Sequence, residues 1–185
     1  MIEREVKFLV SDFSLYREAL AKLGAARISA FFEDNIIFDD LQGSLRRGEK
    51  VLRLRKGDRA TLTLKIPVKN LELSAGQESH YKVREEYEID ISDFETAERI
   101  VIELGYRKIF RYQKSREVYT VGQTTVLLDH TPIGDYIEIE GDESGIEDLC
   151  DKLNLSLEKG ITKNYMTLYT EFRALNSGAS EDMVF

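Results

Sequence analysis

Charged and apolar residues alternate along most segments of this chain that are rich in strand-forming residues. Successive side chains of a β-strand point to opposite faces of the sheet, so odd and even positions can be sorted from the sequence. In the first such segment Glu3, Glu5 and Lys7 share one face, while Val6 and Phe8 share the other. The same separation recurs along the chain. The pattern therefore predicts an antiparallel sheet with one charged face and one apolar face.

Eight segments have the composition and length of β-strands. They are Ile2–Val10, Glu33–Asp39, Val51–Lys56, Ala60–Ile66, Lys82–Ile91, Tyr106–Val118, Thr124–His130 and Tyr136–Gly141. Four amphipathic helices are predicted at Ser11–Leu23, Ser92–Leu104, Ser144–Leu153 and Thr162–Phe172. Residues 67–80 have the composition of a mobile loop. We expect an α+β domain over residues 1–173, followed by a flexible tail at 174–185.

The charged face carries seven basic and seven acidic residues. The basic ones are Lys7, Arg53, Arg55, Lys65, Arg84, Lys114 and Arg116, and the acidic ones are Glu3, Glu5, Glu86, Glu88, Asp129, Glu138 and Glu140. They fall in short groups of one sign, which repel unless opposite charge lies between them. Carboxylate groups suit a hard divalent cation, and clustered Arg and Lys suit phosphate oxygens.

Two architectures fit this pattern. In an open sheet the charged face would simply be solvated. In a closed barrel the apolar residues would face outward under the helices, and the charges would line a wet interior suited to metal and polyphosphate together. Periodicity alone does not decide between the two.

Composition narrows the class of protein. A chain of 185 residues fits one domain, and its single cysteine, Cys150, permits no internal disulfide. The start of the sequence is charged where a signal peptide would be apolar, and no apolar run approaches the roughly 20 residues of a membrane span. We therefore expect a cytoplasmic protein without a membrane partner. The net charge of −8 disfavours broad nucleic-acid binding. The sequence leaves a homodimer open.

A series of short motifs occurs in a fixed order. Glu3-Arg4-Glu5-Val6-Lys7 has the form ExExK, and it is followed by motifs at Leu52–Arg55, Thr63–Lys65, Arg84–Glu88, Lys114–Arg116, Leu128–Asp129 and Gly134–Glu140. This series resembles that of the CYTH superfamily, the triphosphate tunnel metalloenzymes, over nearly the whole chain. The resemblance implies a closed tunnel of eight antiparallel strands that acts on triphosphates with Mg²⁺ or Mn²⁺.

The resemblance also implies roles by position. Metal ligands would be Glu3, Glu5, Asp129, Glu138 and Glu140. Substrate ligands would be Lys7, Arg53, Arg55, Lys65, Arg84, Lys114, Arg116 and Lys163, with Glu86 and Glu88 in support. Lys163-Asn164-Tyr165 resembles the closing (R/K)-Ser-Tyr element of the family, with Asn in place of Ser, and indicates a helix that caps or plugs the tunnel. Lys65 would help activate water if its surroundings lower its pKa.

We expect hydrolysis of a small triphosphate: inorganic triphosphate, thiamine triphosphate or a nucleoside triphosphate. A hydrolase needs only a phosphate clamp, metal and water, whereas a cyclase must also bind a purine and orient the ribose 3′-hydroxyl. A class IV adenylyl cyclase, which converts ATP to cyclic AMP and pyrophosphate, is the alternative, since residues 132–140 resemble those enzymes. A polyphosphate- or nucleotide-binding protein without turnover is the third reading.

Overall fold

The computed structural model describes residues 1–68 and 80–185, so most of the loop expected at residues 67–80 lies outside the described part. The strands are β1 (Ile2–Val10), β2 (Ala26–Asp39), β3 (Val51–Lys56), β4 (Ala60–Pro67), β5 (Lys82–Asp90), β6 (Arg107–Val121), β7 (Thr124–Thr131) and β8 (Gly134–Glu140). The helices are α1 (Ser14–Lys22), α2 (Ser44–Arg47), α3 (Phe94–Glu103), α4 (Glu143–Lys152) and α5 (Tyr165–Leu175), with a 3₁₀ turn at Leu157–Lys159. None of the described helices is long and apolar enough to span a bilayer.

The eight strands close into a barrel in the order β1-β5-β4-β3-β2-β6-β7-β8, and every neighbouring pair is antiparallel. Closure comes from β8, which returns to β1 with Val6 opposite Ile139 and Phe8 opposite Ile137. The predicted barrel with a charged interior is therefore confirmed, and the open sheet is excluded.

The outward apolar side chains are covered by helices. One buried cluster joins Val6, Val126 and Ile139 of the barrel wall to α1 and α4 through Leu20 and Ile146. A second cluster joins the β2 and β3 wall to α3. Full burial of one such side chain stabilises the fold by about 1.5–3 kcal/mol, so the barrel is held from outside by these helices.

Helix α5 has a different place. It packs on Ile37, Phe110 and Tyr136, which share strand parity with the charged residues and so face the barrel interior. Tyr165 and Tyr169 of this helix are buried in that cluster. The helix therefore plugs one end of the barrel, as the resemblance indicated, instead of covering its outer wall.

Strand β2 is longer than predicted. It begins at Ala26, seven residues before the predicted start, and pairs with the long strand β6 down to its Thr120 end. The segment from Ala26 to Phe32 lacks regular alternation, and the pairing changes register between Arg27 and Ser29. A β-bulge of this kind erases the period of two on which the prediction depended.

The end of the chain also departs from the flexible tail expected at 174–185. Ala174 and Leu175 still belong to α5, and Met183 is fully buried. The Met183 backbone exchanges hydrogen bonds with Arg111 and Gln113, where β6 extends past the end of β7. Pairing with this uncovered strand edge satisfies backbone groups that would otherwise lie unpaired.

Candidate active site

A cavity of about 680 Å³ occupies the barrel interior. Twelve of the fifteen predicted site residues line it: Glu3, Glu5, Lys7, Arg53, Arg55, Lys65, Glu86, Glu88, Lys114, Arg116, Glu138 and Glu140. These side chains come from β1, β3, β4, β5, β6 and β8. Strand parity directs them inward, and barrel closure brings residues far apart in sequence around one space.

Three carboxylates form a group that could hold a metal ion. Glu3, Glu5 and Glu140 each offer an oxygen, and these three oxygens lie within 4.8 Å of one another. Glu5 faces Glu140 across the β1–β8 pair, while Glu3 is two residues earlier on the same face of β1. Hard divalent cations take carboxylate oxygens as ligands, so the donor set fits Mg²⁺ or Mn²⁺.

The three carboxylates differ in their neighbours. Lys65 Nζ lies 2.5 Å from Glu3, and Lys82 Nζ lies 2.6 Å from Glu5. Among residues 1–68 and 80–185, Glu140 has no such ion pair. Burial, reinforced by Glu3 and Glu5 and opposed by Arg116, raises the pKa of Glu140 to about 8. A cation at this group would compensate the charge that the protein leaves unpaired.

The pKa of Glu5 is shifted in the opposite direction to that of Glu140. Burial would raise its pKa, but Lys82 and Lys7 outweigh that effect and lower the pKa to about 2. Glu5 is therefore ionised at neutral pH and can act as a ligand without first losing a proton. The pKa of Glu3 is raised, chiefly because of burial.

Two other predicted metal ligands, Asp129 and Glu138, form ion pairs with basic residues of the interior. Asp129 is fully buried and forms a bidentate pair with Arg116, with both contacts at 2.6 Å, and it also accepts from Lys114 at 2.7 Å. Glu138 lies 2.8 Å from Lys7 and 2.9 Å from Arg116. Neither belongs to the three-carboxylate group. Both carboxylates therefore act as counter-ions of basic residues in this structure, and their role as metal ligands stays a prediction.

Arg53 and Arg55 project into the cavity from β3, where Glu86 and Glu88 steady them. Arg55 Nη2 lies 3.1 Å from Glu88, and Arg53 Nη2 lies 3.6 Å from Glu88 and 3.8 Å from Glu86. Thr63 donates its hydroxyl to Glu88 at 2.8 Å. Glu86 and Glu88 therefore pair with the two arginines, and all four side chains line the cavity.

Lys65 is poorly suited to activate water. Burial and Arg53 lower its pKa, but Glu3, Glu5 and Glu86 more than compensate, so its pKa lies above the ordinary value. A general base must be deprotonated near the working pH. The condition set for a role in activating water, a lowered pKa, is therefore not met in this structure, and a protonated Lys65 fits a phosphate ligand.

Two further predicted residues do not line the cavity. The Arg84 side chain shares the inward parity of β5, but its guanidinium donates to the carbonyl of Val83 at 3.0 Å. Lys163 lies on the surface, half-exposed, and pairs with Glu171 at 2.7 Å. Strand parity predicts the direction of a side chain, and a motif predicts its neighbourhood. Neither predicts the rotamer that the side chain adopts.

The sequence reasoning did not assign a site role to several residues of the described interior, among them Lys82, Glu33 and Tyr165. Lys82 has the same parity as Glu86 and could have been found from that signal. Glu33 is fully buried, with burial opposed by Lys114 and Arg116, which lower its pKa to about 2. Its strand mixes polar and apolar residues on both faces, so parity gave little signal there. Tyr165 enters the interior from α5; the resemblance indicated that its helix closes the tunnel, but neither it nor the apolar stripe indicated contacts with charged residues.

One part of the cavity wall is apolar. Ile37, Val51, Tyr112, Tyr165 and Met166 line the cavity and belong to a single hydrophobic cluster, so they form a continuous surface, called the apolar wall below. The Tyr112 hydroxyl lies 3.5 Å from Arg53 Nη1. The apolar wall thus adjoins the basic residues and offers a surface for an organic group attached to a phosphate chain.

Known proteins resemble this chain both in sequence and in fold. Residues 1–165 match the CYTH domain. Adenylate cyclase CyaB of Aeromonas hydrophila is 30% identical over 190 residues, covering 95% of this chain and 92% of the relative. MJ0240 of Methanocaldococcus jannaschii, provisionally named an adenylate cyclase, is 29% identical over 180 residues, covering 91% and 98%. The structure of HpAC1 from Hippeastrum, described as having a dominant triphosphatase activity, has a similar fold at a TM-score of 0.61 and 19% identity, covering 92% and 96%.

The closed barrel, its charged interior and the three-carboxylate group match the class of domain that the family model describes over residues 1–165. The chain belongs to the CYTH family.

Proposed function

We propose that this protein hydrolyses a small triphosphate with the help of Mg²⁺ or Mn²⁺. The observation that carries the proposal is the placing of the carboxylate group Glu3, Glu5 and Glu140 in one cavity with Arg53 and Arg55. Phosphoryl transfer asks little covalent chemistry of the protein, and its rate depends on positioning and on neutralising charge. Both kinds of group needed for that task face the same enclosed space.

The basic residues would bind the phosphate chain. Arg53 and Arg55 can present two donors each to phosphate oxygens, and Lys7 and Lys114 add point charges from β1 and β6. A divalent ion bound by Glu3, Glu5 and Glu140 would neutralise charge on the phosphate oxygens. Lys65 and Lys82, which pair with Glu3 and Glu5 in this structure, would then be available to contact phosphate.

The second candidate is cyclisation of ATP, and the apolar wall favours it. Ile37, Val51 and Met166 have no use in binding inorganic triphosphate, whereas a purine could pack on them. The relative from Aeromonas is named an adenylate cyclase, while the Hippeastrum protein of the same fold is described as predominantly a triphosphatase. We place hydrolysis first because the charged groups account for it completely, whereas cyclisation also requires orientation of a 3′-hydroxyl.

A product assay separates these candidates. Purified protein is incubated separately with inorganic triphosphate, thiamine triphosphate and ATP, each with Mg²⁺ or Mn²⁺, and orthophosphate, pyrophosphate and cyclic AMP are quantified. We expect orthophosphate as the main product. Equal amounts of cyclic AMP and pyrophosphate from ATP, formed faster than orthophosphate from any substrate, would replace the proposal with the cyclase. Tight binding of triphosphate without any product would indicate a binding protein.

A further inference from the structure

Tyr165 is the first residue of the plug helix α5, and its side chain reaches the charged interior. The ring is buried between Tyr112 and Tyr136, whose centroids lie 5.8 and 5.5 Å away. The hydroxyl donates to Asp129 Oδ2 at 2.8 Å. Packing of the ring explains why an aromatic residue occupies this position. It does not explain why the hydroxyl contacts this particular carboxylate.

Asp129 is the residue that orients two candidate phosphate ligands. Its Oδ2 accepts from Lys114 Nζ at 2.7 Å and from Arg116 Nη2 at 2.6 Å, and its Oδ1 accepts from Arg116 Nε at 2.6 Å. The Tyr165 hydroxyl is thus a third donor to the same oxygen. Charge-assisted hydrogen bonds of this kind fix the geometry of a buried network more strongly than neutral ones.

The ring of Tyr165 contacts two of the cations directly. The ammonium groups of Lys7 and Lys114 lie 5.0 and 4.9 Å from its centroid. The face of an aromatic ring attracts cations, most strongly where water is excluded. Two ammonium groups that would otherwise repel each other are therefore held by one ring, close to where phosphate is expected.

We propose that Tyr165 is a positioning residue for triphosphate binding. Its hydroxyl acts on Lys114 and Arg116 through Asp129, and its ring acts on Lys7 and Lys114. The plug helix then has two tasks, since it closes the barrel and also fixes the basic side chains. This inference rests on the proposed function, because it takes these cations to be phosphate ligands.

Two variants separate the hydroxyl from the ring, and a third is a matched control. Tyr165→Phe removes only the hydrogen bond to Asp129, and Tyr165→Leu also removes the ring. Tyr169→Phe removes the hydroxyl of another buried tyrosine one turn further along α5, which donates to the carbonyl of Ser180 at 3.0 Å. Both phenylalanine variants retain the packing of their rings, so we expect both to fold.

The measurement is calorimetric titration with inorganic triphosphate in the presence of EDTA, followed by kcat and KM for the preferred substrate with metal. We expect binding by Tyr165→Phe to be about tenfold weaker, as is usual for loss of a hydrogen bond to a charged group, and binding by Tyr165→Leu to be weaker still. KM should rise and kcat should fall in both variants. Tyr169→Phe should bind and turn over like the wild-type protein.

Two negative results have different meanings. If Tyr165→Phe binds triphosphate as tightly as the wild-type protein and Tyr169→Phe do, Tyr165 has only a packing role and this inference is wrong. If the wild-type protein neither binds triphosphate in EDTA nor releases phosphate from any tested triphosphate with metal, the proposed function itself is wrong. A purely structural role would lower the melting temperature of both phenylalanine variants alike and leave affinity unchanged.

Discussion

Replacing Glu140 by glutamine should stabilise the metal-free protein, although it removes a candidate metal ligand. Burial and the nearby Glu3 and Glu5 raise the pKa of Glu140 from its ordinary value of 4.5 to about 8. The folded state therefore holds this proton more tightly than the unfolded chain does. The ionisation of Glu140 therefore lowers the free energy of unfolding. This loss of stability is absent below about pH 4.5, grows as pH rises, and is complete above about pH 8. Glutamine has no charge at any pH, so the variant does not lose stability in this way.

The size of the stabilisation follows from the difference between the ordinary and the raised pKa of Glu140. The difference between 4.5 and about 8 corresponds to a ceiling of about 5 kcal/mol, at about 1.4 kcal/mol per tenfold change in proton affinity. Water in the cavity and relaxation of Glu3 will reduce this value, so we expect about 2 kcal/mol. For a chain of this length that is a rise in Tm of roughly 4–8 °C.

Glu138 provides a matched control on the same strand. Burial would raise its pKa, but Lys7, Lys114 and Arg116 hold it well below the ordinary value. Glu138→Gln would leave buried cations unpaired, which typically costs about 3–5 kcal/mol. The same chemical change two residues apart should thus have opposite signs, because Glu140 lies among carboxylates and Glu138 lies among cations.

Unfolding should be followed in EDTA near pH 5 and near pH 8.5, and again with Mg²⁺ at the higher pH. We expect the stability advantage of Glu140→Gln over wild type to be small at the lower pH and full at the higher one. Mg²⁺ should raise the Tm of wild type more than that of the variant, since it binds the complete carboxylate group better. A variant less stable than wild type at the higher pH without metal, or equal Mg²⁺ shifts in the two proteins, would refute this account of the site.

Three further predictions concern the clamp, the chain end and the lysine pairs. Arg53→Ala should raise KM and lower kcat together by about tenfold or more in steady-state kinetics. Arg59→Ala, at the cavity rim and more than half exposed, should change both parameters much less. Met183→Ala should destabilise the fold by about 3 kcal/mol and Leu175→Ala, 87% exposed, by less than about 0.5 kcal/mol, as urea unfolding would show. Lys82→Met should bind Mn²⁺ roughly five- to tenfold more tightly in calorimetry without triphosphate, because Glu5 loses a competing cation; weaker binding would contradict the pairing.

Much of the site could be predicted because a strand has a period of two. Strand parity alone predicted that Glu3, Glu5, Arg53 and Arg55 share one face. Closure of the barrel places them around one cavity. Parity does not give the register between strands distant in sequence. Pairing of β1 with β8 sets Glu5 against Glu140, which creates the carboxylate group.

The same register sets Glu138 opposite Lys7, so Glu138 has a cation as its neighbour, whereas Glu140 lies opposite Glu5. Only the closed barrel contains this information, so the motif assigned like roles to residues with different surroundings. Helix α5 shows a similar limit. Its stripe predicted burial, but an apolar stripe does not say whether it will meet the outer wall or the barrel end, and the contact between Tyr165 and Asp129 depends on that choice.

Ion pairs between lysine and glutamate connect the candidate metal site to the candidate phosphate ligands. Lys65 and Lys82 now neutralise Glu3 and Glu5, so an incoming cation must displace them before it can bind. The displaced ammonium groups then need new anions, and phosphate oxygens are the anions that arrive with the substrate. Metal and triphosphate should therefore bind with positive coupling, each supplying the charge that the other's partners lack. Through their pairs with Glu3 and Glu5, Lys65 and Lys82 would thus make the binding of metal and of triphosphate depend on each other.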